Sequence, residues 1–415
     1  MGFITKVVAA GMAFLISVLF ARQLGPEDFG VYAMAMSAIG LLSTVVTLGL
    51  PMLVVRQVAI YSENKQWGLL KGIIYRSYQW PALTAVLMVI VLGTVTLVFI
   101  PPVWQTVSVL GLIMLPFLAL NQVRAAILRG LHWVVLADVP ELLFRPLLVL
   151  IMIGISLFLA KTEHSGQWAI GIQLIATFLS FLIGAWLLKQ RVPRHLVGVV
   201  AKFENKIWLA AGVTFLGVAL VSAAEGQVAL LLLGSMAGAR YAGLYQAAFQ
   251  LVTPIIFGLM AVNMALQSKL AAAWSAGDKQ LAQKLVTEAA RLSLLVALMC
   301  GGMLLWFAEE CLALFGNAYK DAALALRILV IGQFFNAAAG SCGIVLSMTG
   351  HQREVLYGVA LALIVNFALC LLLIPYWNIV GAAIAASSGL VVWNAYLMWQ
   401  AKKLTGIRTT IVLGM

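Results

Sequence analysis

The stretch Phe20–Ala33, FARQLGPEDFGVYA, decides how the rest of the chain is read. On its N-terminal side an apolar run covers Phe3–Ala21, and on its C-terminal side another covers Val31–Val54 and carries Gly49-Leu50-Pro51. Gly25-Pro26 stops the first helix, and Pro26-Glu27-Asp28 starts a turn or the next helix. Gly30 lets the second helix pack closely against a neighbour. Taken alone, the stretch is a tight polar turn between two apolar helices.

That unit recurs along the whole chain. Crossing the hydrocarbon core takes roughly 20 apolar residues, and the first half holds six such segments: Phe3–Ala21, Val31–Val54, Trp80–Ile100, Val107–Ala126, Leu142–Ala160 and Trp168–Leu188. The second half holds Ile207–Leu233, Gly243–Ala265, Leu292–Phe307, Ala323–Met348, Val355–Ile374 and Val380–Ala401. The ninth is the shortest, because Arg291 and Glu309 bound it. Of 415 residues 63% are hydrophobic and 10% charged, where soluble domains run about 45–50% and about 25%. The mean hydropathy is +1.05. These values exclude a soluble enzyme of two or three domains, and the recurrence excludes a receptor with one anchor. Alternating barrel patterning is absent, so the fold class is an all-α integral membrane protein with about twelve transmembrane helices. The opening segment, with its single Lys6, lacks a cleavage site followed by polar sequence and reads as an uncleaved first helix. Cys300, Cys311, Cys342 and Cys370 show no CxxC or Cys/His spacing, so neither a disulfide frame nor a metal site is expected.

Of the 26 Lys and Arg residues, 21 fall in loops on one side, and the other side holds only Arg22, Lys161, Arg240, Lys320 and Arg327. The basic side is cytoplasmic by the positive-inside rule, which puts both termini there. The net charge of +12 thus reflects topology and calls for no nucleic-acid partner. Trp80, Trp104, Trp168, Trp208, Trp306 and Trp377 stand near span ends, where interfacial aromatics are expected. The longest basic loop runs from Lys189 to Lys206 and divides the chain into a first lobe (1–190), a linker (191–206) and a second lobe (207–415). A shift of 213 residues brings Gly25, Gly30, Tyr32 and Ala35 onto Gly238, Gly243, Tyr245 and Ala248. The same shift brings Leu53, Ala59, Ser62 and Lys71 onto Leu266, Ala272, Ser275 and Lys284. With six helices per half, the pseudo-two-fold axis would run along the membrane normal.

The stretch LGPEDFGVYA (Leu24–Ala33) resembles the polysaccharide-transporter family, which includes O-antigen-type flippases of lipid-linked oligosaccharides. That family sits in the multidrug/oligosaccharidyl-lipid/polysaccharide exporter superfamily, beside multidrug and toxin extruders and lipid II flippases. The second-half stretch LGSMAGARYAGLYQAA (Leu233–Ala248), the segment PELLFRP (Pro140–Pro146), and Leu314-Phe315-Gly316 with Tyr319 resemble it as well. The resemblance implies two six-helix bundles around a central cavity that opens to one face at a time. It also implies basic residues suited to a pyrophosphate-linked substrate and residence in the bacterial cytoplasmic (inner) membrane. Lipid II flippases carry two further helices. Fourteen residues follow Ala401, so no counterpart of those helices is expected.

Charge within the bilayer is costly, so ionisable residues in or beside spans are candidate sites. Arg22, Arg56, Arg124 and Arg145 stand at span ends. Two readings stand for each: a bidentate grip on phosphate oxygens, or snorkelling to headgroups. Arg22 and Arg56 occupy span ends where related flippases carry arginines. Glu225 lies well inside a span and reads as a coupling-ion or proton site, as a partner for an arginine, or as a carboxylate at a helix break near the outer interface. Asn121, Gln173, Gln246, Gln250, Asn263, Asn336 and Asn366 are polar groups that join neighbouring helices or touch sugar; Asn121 and Asn263 are the substrate-contact candidates. No phosphate loop, GxSxG or HExxH occurs, so neither ATPase nor hydrolase chemistry is expected, and no cofactor beyond a coupling ion, H⁺ or Na⁺. The expected activity is translocation of a polyprenyl-pyrophosphate-linked oligosaccharide, an O-antigen or exopolysaccharide repeat unit. The expected partners are that substrate, membrane lipids, and a polysaccharide polymerase and glycosyltransferases. A multidrug or lipid II-type exporter of the same fold is the alternative, and a membrane-embedded polymerase or ligase the rival of another class.

Overall fold

Apolar spans in hydrocarbon must bond their backbone internally, and the structure, a computed structural model, is helical throughout its regular elements, with no strand among the described residues. Those residues are 2–99, 101–159, 164–192, 196 and 198–410. The expected span ends at Ile100 and Ala160, and Lys161 and Arg194 of the charge count, lie outside them. In chain order the helices are α1 (Gly2–Val46), α2 (Leu50–Glu63), α3 (Trp67–Phe99), α4 (Pro102–Gly130) and α5 (Val134–Val139). A π-helical turn, Pro140–Phe144, leads into α6 (Arg145–Leu159) and α7 (Gly166–Arg191). Then come α8 (Asn205–Ala237), α9 (Ala239–Ser275), α10 (Lys279–Trp306) and the short α11 (Ala308–Ala313), followed by α12 (Ala323–Ala339), α13 (Cys342–Met348) and α14 (Gln352–Thr405).

Ten helices among the described residues are long and apolar enough to cross a bilayer. Two of them are hairpins. In α1 the chain reverses at Gly25, whose φ of 70° is left-handed backbone that a side chain disfavours, and Pro26 opens the second limb. Phe20 and Tyr32, six residues either side of Pro26, bring their rings to 5.0 Å. The 54-residue α14 leaves helical geometry at Asn378. Around that point Gly381 faces Leu373, Gly389 faces Ala362, and Gly358 faces Trp393, which is antiparallel pairing about one turn. Counting both limbs of each hairpin yields twelve crossings, the number expected from the sequence.

Two expected spans are broken. Val31–Val54 is interrupted at Thr47–Gly49, where Leu48 and Gly49 take φ of 53° and 68°. Ala323–Met348 is interrupted at Gly340, where a Cβ would stand 2.2 Å from the carbonyl oxygen of Thr409. The short ninth span is completed by polar residues, since α10 starts at Lys279.

Packing divides the chain into two compact units, one of Met1–Leu24 and Val31–Ala223, the other of Gly25–Gly30 and Ala224–Met415. Within the first, the described residues from Val199 to Trp208 bond to α2 and α3. Lys202 donates its backbone N–H to Gly68 at 2.9 Å, and Lys71 Nζ reaches the Val199 carbonyl at 2.8 Å. Trp208 donates to the Tyr61 hydroxyl at 3.2 Å, which donates to Glu204 at 3.0 Å. Burial pushes the Tyr61 pKa above the ordinary tyrosine value. Trp208 is fully buried, in a cluster with Leu70, Ile73 and Tyr61, and is not an interfacial anchor. Trp306, 82% exposed, has the exposure expected of one. In the second unit Gly30 and Gly243, paired in the sequence repeat, lie against each other: a Cβ on Gly243 would fall 2.0 Å from the Pro26 carbonyl oxygen. Only backbone fits at that crossing. On α3, Leu83, Leu87, Ile90, Val91 and Val98 are exposed and form the apolar face a helix presents to lipid.

Candidate functional site

The first unit contains a cavity of about 790 Å³ between the second limb of α1, α4 and the α5–α6 turn. Nine of its seventeen lining residues are polar or charged, among them Lys6, Ser43, Asn121, Gln122, Arg129, Asp138, Glu141 and Arg145. Ligand pockets are predominantly apolar with a few polar groups, so this one is unusually polar for a helix bundle in lipid.

Its centre is Glu141. The local cause is the PELLFRP segment. Pro146 has no N–H to give to Leu142 four residues back, and its ring would crowd that carbonyl. The backbone widens by one residue instead, and Arg145 N–H bonds to the Pro140 carbonyl in π-helical fashion. Such turns recur at functional sites. The Glu141 carboxylate accepts from Asn121 Nδ2 at 2.6 Å and Ser180 Oγ at 3.1 Å, and pairs with Arg145 Nη1 at 3.3 Å. Arg145 Nη2 continues to Gln173 Oε1 at 3.1 Å, and Gln173 Nε2 to the Tyr32 hydroxyl at 2.9 Å. On the other side Asn121 Oδ1 accepts from Arg124 Nε at 3.3 Å. One chain of hydrogen bonds thus ties α1, α4, the π turn, α6 and α7.

Arg124 is fully buried. Its Nη2 reaches the Ala137 carbonyl at 3.4 Å, and Nη1 has no hydrogen-bond partner among the described residues. The guanidinium lies flat on α7 where Gly184 leaves room, since a Cβ there would stand 2.4 Å from Arg124 Nε. It stands behind the cavity wall and acts on Glu141 through Asn121. Arg129 and Asp138, at the more exposed rim, pair at 2.6 Å. Three cations and two carboxylates therefore line the cavity, and both arginines are already tied to carboxylates. An incoming phosphate would compete with those carboxylates, which moderates its binding.

Of the residues singled out from the sequence, the structure brings Asn121, Arg124 and Arg145 together. Arg22 on α1 and Arg56 on α2 are exposed and line no part of this cavity. Asn263 belongs to the second unit, where its Oδ1 accepts from Ser341 Oγ at 2.5 Å. Glu225, half-buried, has no ion-pair or hydrogen-bond partner among the described residues. The sequence reading did not single out Glu141, Lys6, Arg129 or Asp138. The signal for Glu141 was its i,i+4 spacing to Arg145 between two prolines.

The model of the polysaccharide biosynthesis protein family matches residues 3–268. The chain belongs to that family. The MatE family model matches residues 208–372. Among solved structures, an inward-facing multidrug resistance MATE family transporter of the MOP superfamily is similar with a TM-score of 0.76 at 14% identity, over 95% of this chain and 96% of that one. The lipid II flippase MurJ, in an inward closed conformation, reaches a TM-score of 0.77 at 14% identity, over 96% and 87%. A MOP superfamily transporter from Pyrococcus furiosus reaches 0.68 at 14% identity, over 97% and 94%. At such identities the likeness is one of fold: this family member has the fold of multi-span transporters and flippases. No curated protein matches the sequence.

Proposed function

We propose that the chain is a flippase that carries a polyprenyl-pyrophosphate-linked oligosaccharide, an O-antigen or exopolysaccharide repeat unit, across the bacterial cytoplasmic membrane by alternating access, with both termini cytoplasmic. The observation that carries this reading is the polar cavity of the first unit, whose hydroxyl, amide and paired charged groups suit a sugar head with its phosphates. The lipid tail stays in the bilayer while the head is screened from hydrocarbon, where each unpaired polar group costs several kcal/mol. Arg145, Asn121 and Lys6 are the contacts, and Arg124 is a positioning residue. Arg22 and Arg56 meet the pyrophosphate as exposed cations, Asn263 touches sugar, and Glu225 carries the coupling ion, H⁺ or Na⁺. A polymerase and glycosyltransferases are the proposed partners in the membrane.

Deletion of the gene should accumulate lipid-linked repeat units on the cytoplasmic side and abolish surface polysaccharide. Hydrogen bonds to charged groups contribute about 1.5–3 kcal/mol, so Arg145→Ala should weaken substrate binding roughly tenfold or more. Arg22→Ala and Arg56→Ala, at exposed sites, should cost less. Full surface polysaccharide in the deletion strain would sink the reading. A second reading, export of drugs or toxins, is favoured by the MatE match over residues 208–372. Drug hypersensitivity with normal polysaccharide in the same strain would select it.

A further inference from the structure

A second polar cavity, about 680 Å³, lies in the second unit between the first turns of α10 and the segment Thr405–Ile407. Lys279, Lys284 and Arg291 line it, against one carboxylate, Glu288. None of the three cations is in an ion pair among the described residues. Asp278 is occupied as the N-cap of α10, its carboxylate accepting from Leu281 N–H at 2.8 Å. A neighbouring groove of about 490 Å³ adds Lys402 and Arg408.

The wall between them is held rigidly. Beyond α14 the chain folds back as a strap, Gly406–Thr410. Gln283 on α10 grips it with both ends of its amide: Nε2 donates to the Arg408 carbonyl at 2.7 Å, and Oε1 accepts the Arg408 N–H at 2.8 Å. Ile407 is buried in the core of the unit, and the Thr409 hydroxyl meets Cys342 Sγ at 3.1 Å. The basic residues thus surround a preformed concavity rather than a floppy tail.

The depth in the bilayer follows from α10 itself. Its 28 residues make a helix of about 42 Å, against a hydrocarbon core of about 30 Å. Counting back from the exposed Trp306, the core ends near Thr287, so Lys279 and Lys284 stand at phosphate level and Arg291 reaches back to it. Below Arg291 the same flank of α10 exposes Leu292, Leu295 and Met299. A basic concavity opening onto an apolar strip matches a molecule with an anionic head and acyl chains.

We propose that this cavity is a binding site for the headgroup of an anionic phospholipid of the leaflet in which α10 begins, with the phosphate against Lys284 and Arg291 and the acyl chains along Leu292, Leu295 and Met299. The site is separate from the cavity of the first unit and does not depend on what that cavity transports. Each cation near an anionic surface changes lipid affinity by about fivefold.

The test uses the purified full-length protein in detergent micelles doped with equal amounts of phosphatidylglycerol and phosphatidylcholine of matched chains, with bound lipid counted by native mass spectrometry. The wild type should retain phosphatidylglycerol preferentially. Lys284→Gln with Arg291→Gln should lower that retention tenfold or more, and Glu288→Gln should raise it. The Glu288→Gln arm keeps the test decisive even if the double variant folds poorly. Equal retention of the two lipids, or a preference unchanged in all the variants, overturns the proposal. So does displacement of phosphatidylglycerol by millimolar inorganic phosphate, which would make the cavity a site for a soluble anion.

Discussion

At Glu141 a single carboxylate accepts three side-chain partners contributed by α4, α6 and α7. Removing it takes one hydrogen-bond partner each from Asn121, Ser180 and Arg145 and leaves the Arg145 guanidinium without its counter-charge. Asp138 has one ion-pair partner, Arg129, whose side chain is 44% exposed, and pairs of that kind contribute about 0–1 kcal/mol. Glu141→Ala should therefore destabilise the detergent-solubilised protein by about 2 kcal/mol or more, while Asp138→Ala should change its melting temperature little. Equal shifts in the two variants would refute Glu141 as the centre of the network. Gly184→Ala tests the buried arginine. Its Cβ would enter the space of the Arg124 guanidinium, and overpacking of this kind costs about 1–3 kcal/mol. Surface polysaccharide should fall even though no group facing the cavity is altered, and full complementation by Gly184→Ala would show that Arg124 positions nothing. Arg124, Arg145 and Asn121 were legible in the sequence because ionisable and amide groups stand out in apolar spans. Ser180 was not, since a serine 39 residues away in sequence from its partner gives no local sign of it.

At the scale of elements, two kinds of glycine are separated by their neighbours. Gly25 has left-handed backbone but nothing within 4 Å of an added Cβ, so Gly25→Ala costs only the backbone strain, about 1–2 kcal/mol. Gly243 is in helical backbone, yet its Cβ would meet the Pro26 carbonyl oxygen at 2.0 Å, a rigid obstacle. Gly243→Ala should reduce the monodisperse peak in fluorescence-detected size-exclusion chromatography far more than Gly25→Ala. The opposite order would mean that the α1 turn does not pack on α9 as described. The π turn belongs to this scale too. With Pro146→Ala an ordinary i→i−4 bond becomes available to Leu142, so Glu141 and Arg145 should shift in register and transport should fall with little loss of stability.

For the whole molecule, the loop charges predict which side each connection faces. A periplasm-active reporter fused after Lys161 should be active, and the same reporter after Arg194 should be silent. The reverse pattern would invert the topology and, with it, the leaflet from which substrate is loaded. The linker is the other whole-chain feature. Phe203 packs under the Arg76 guanidinium at 4.7 Å, and Trp208 closes over Tyr61. Leu196 and Trp208, at the two ends of this basic connection, thus join the first unit's core, while Val200 and Phe203 between them stay exposed.

The sequence by itself determined the all-helical membrane fold, the twelve crossings and the reversal at Gly25-Pro26. Each of these depends on a local rule: the length of an apolar run against the thickness of hydrocarbon, the obligation of a buried backbone to bond within its own helix, and glycine's access to left-handed backbone. The breaks at Thr47–Gly49 and Gly340, the burial of Trp208 and the assembly of the Glu141 network were decided only by tertiary structure. In those places the outcome depends on which distant backbone or side chain approaches. Gly340 breaks its helix where the strap residue Thr409 comes close, and Trp208 is buried in the cluster of Leu70 and Ile73, where Tyr61 offers its indole N–H an acceptor. Hydropathy along the chain records how apolar each position is, and it carries no information about these partners.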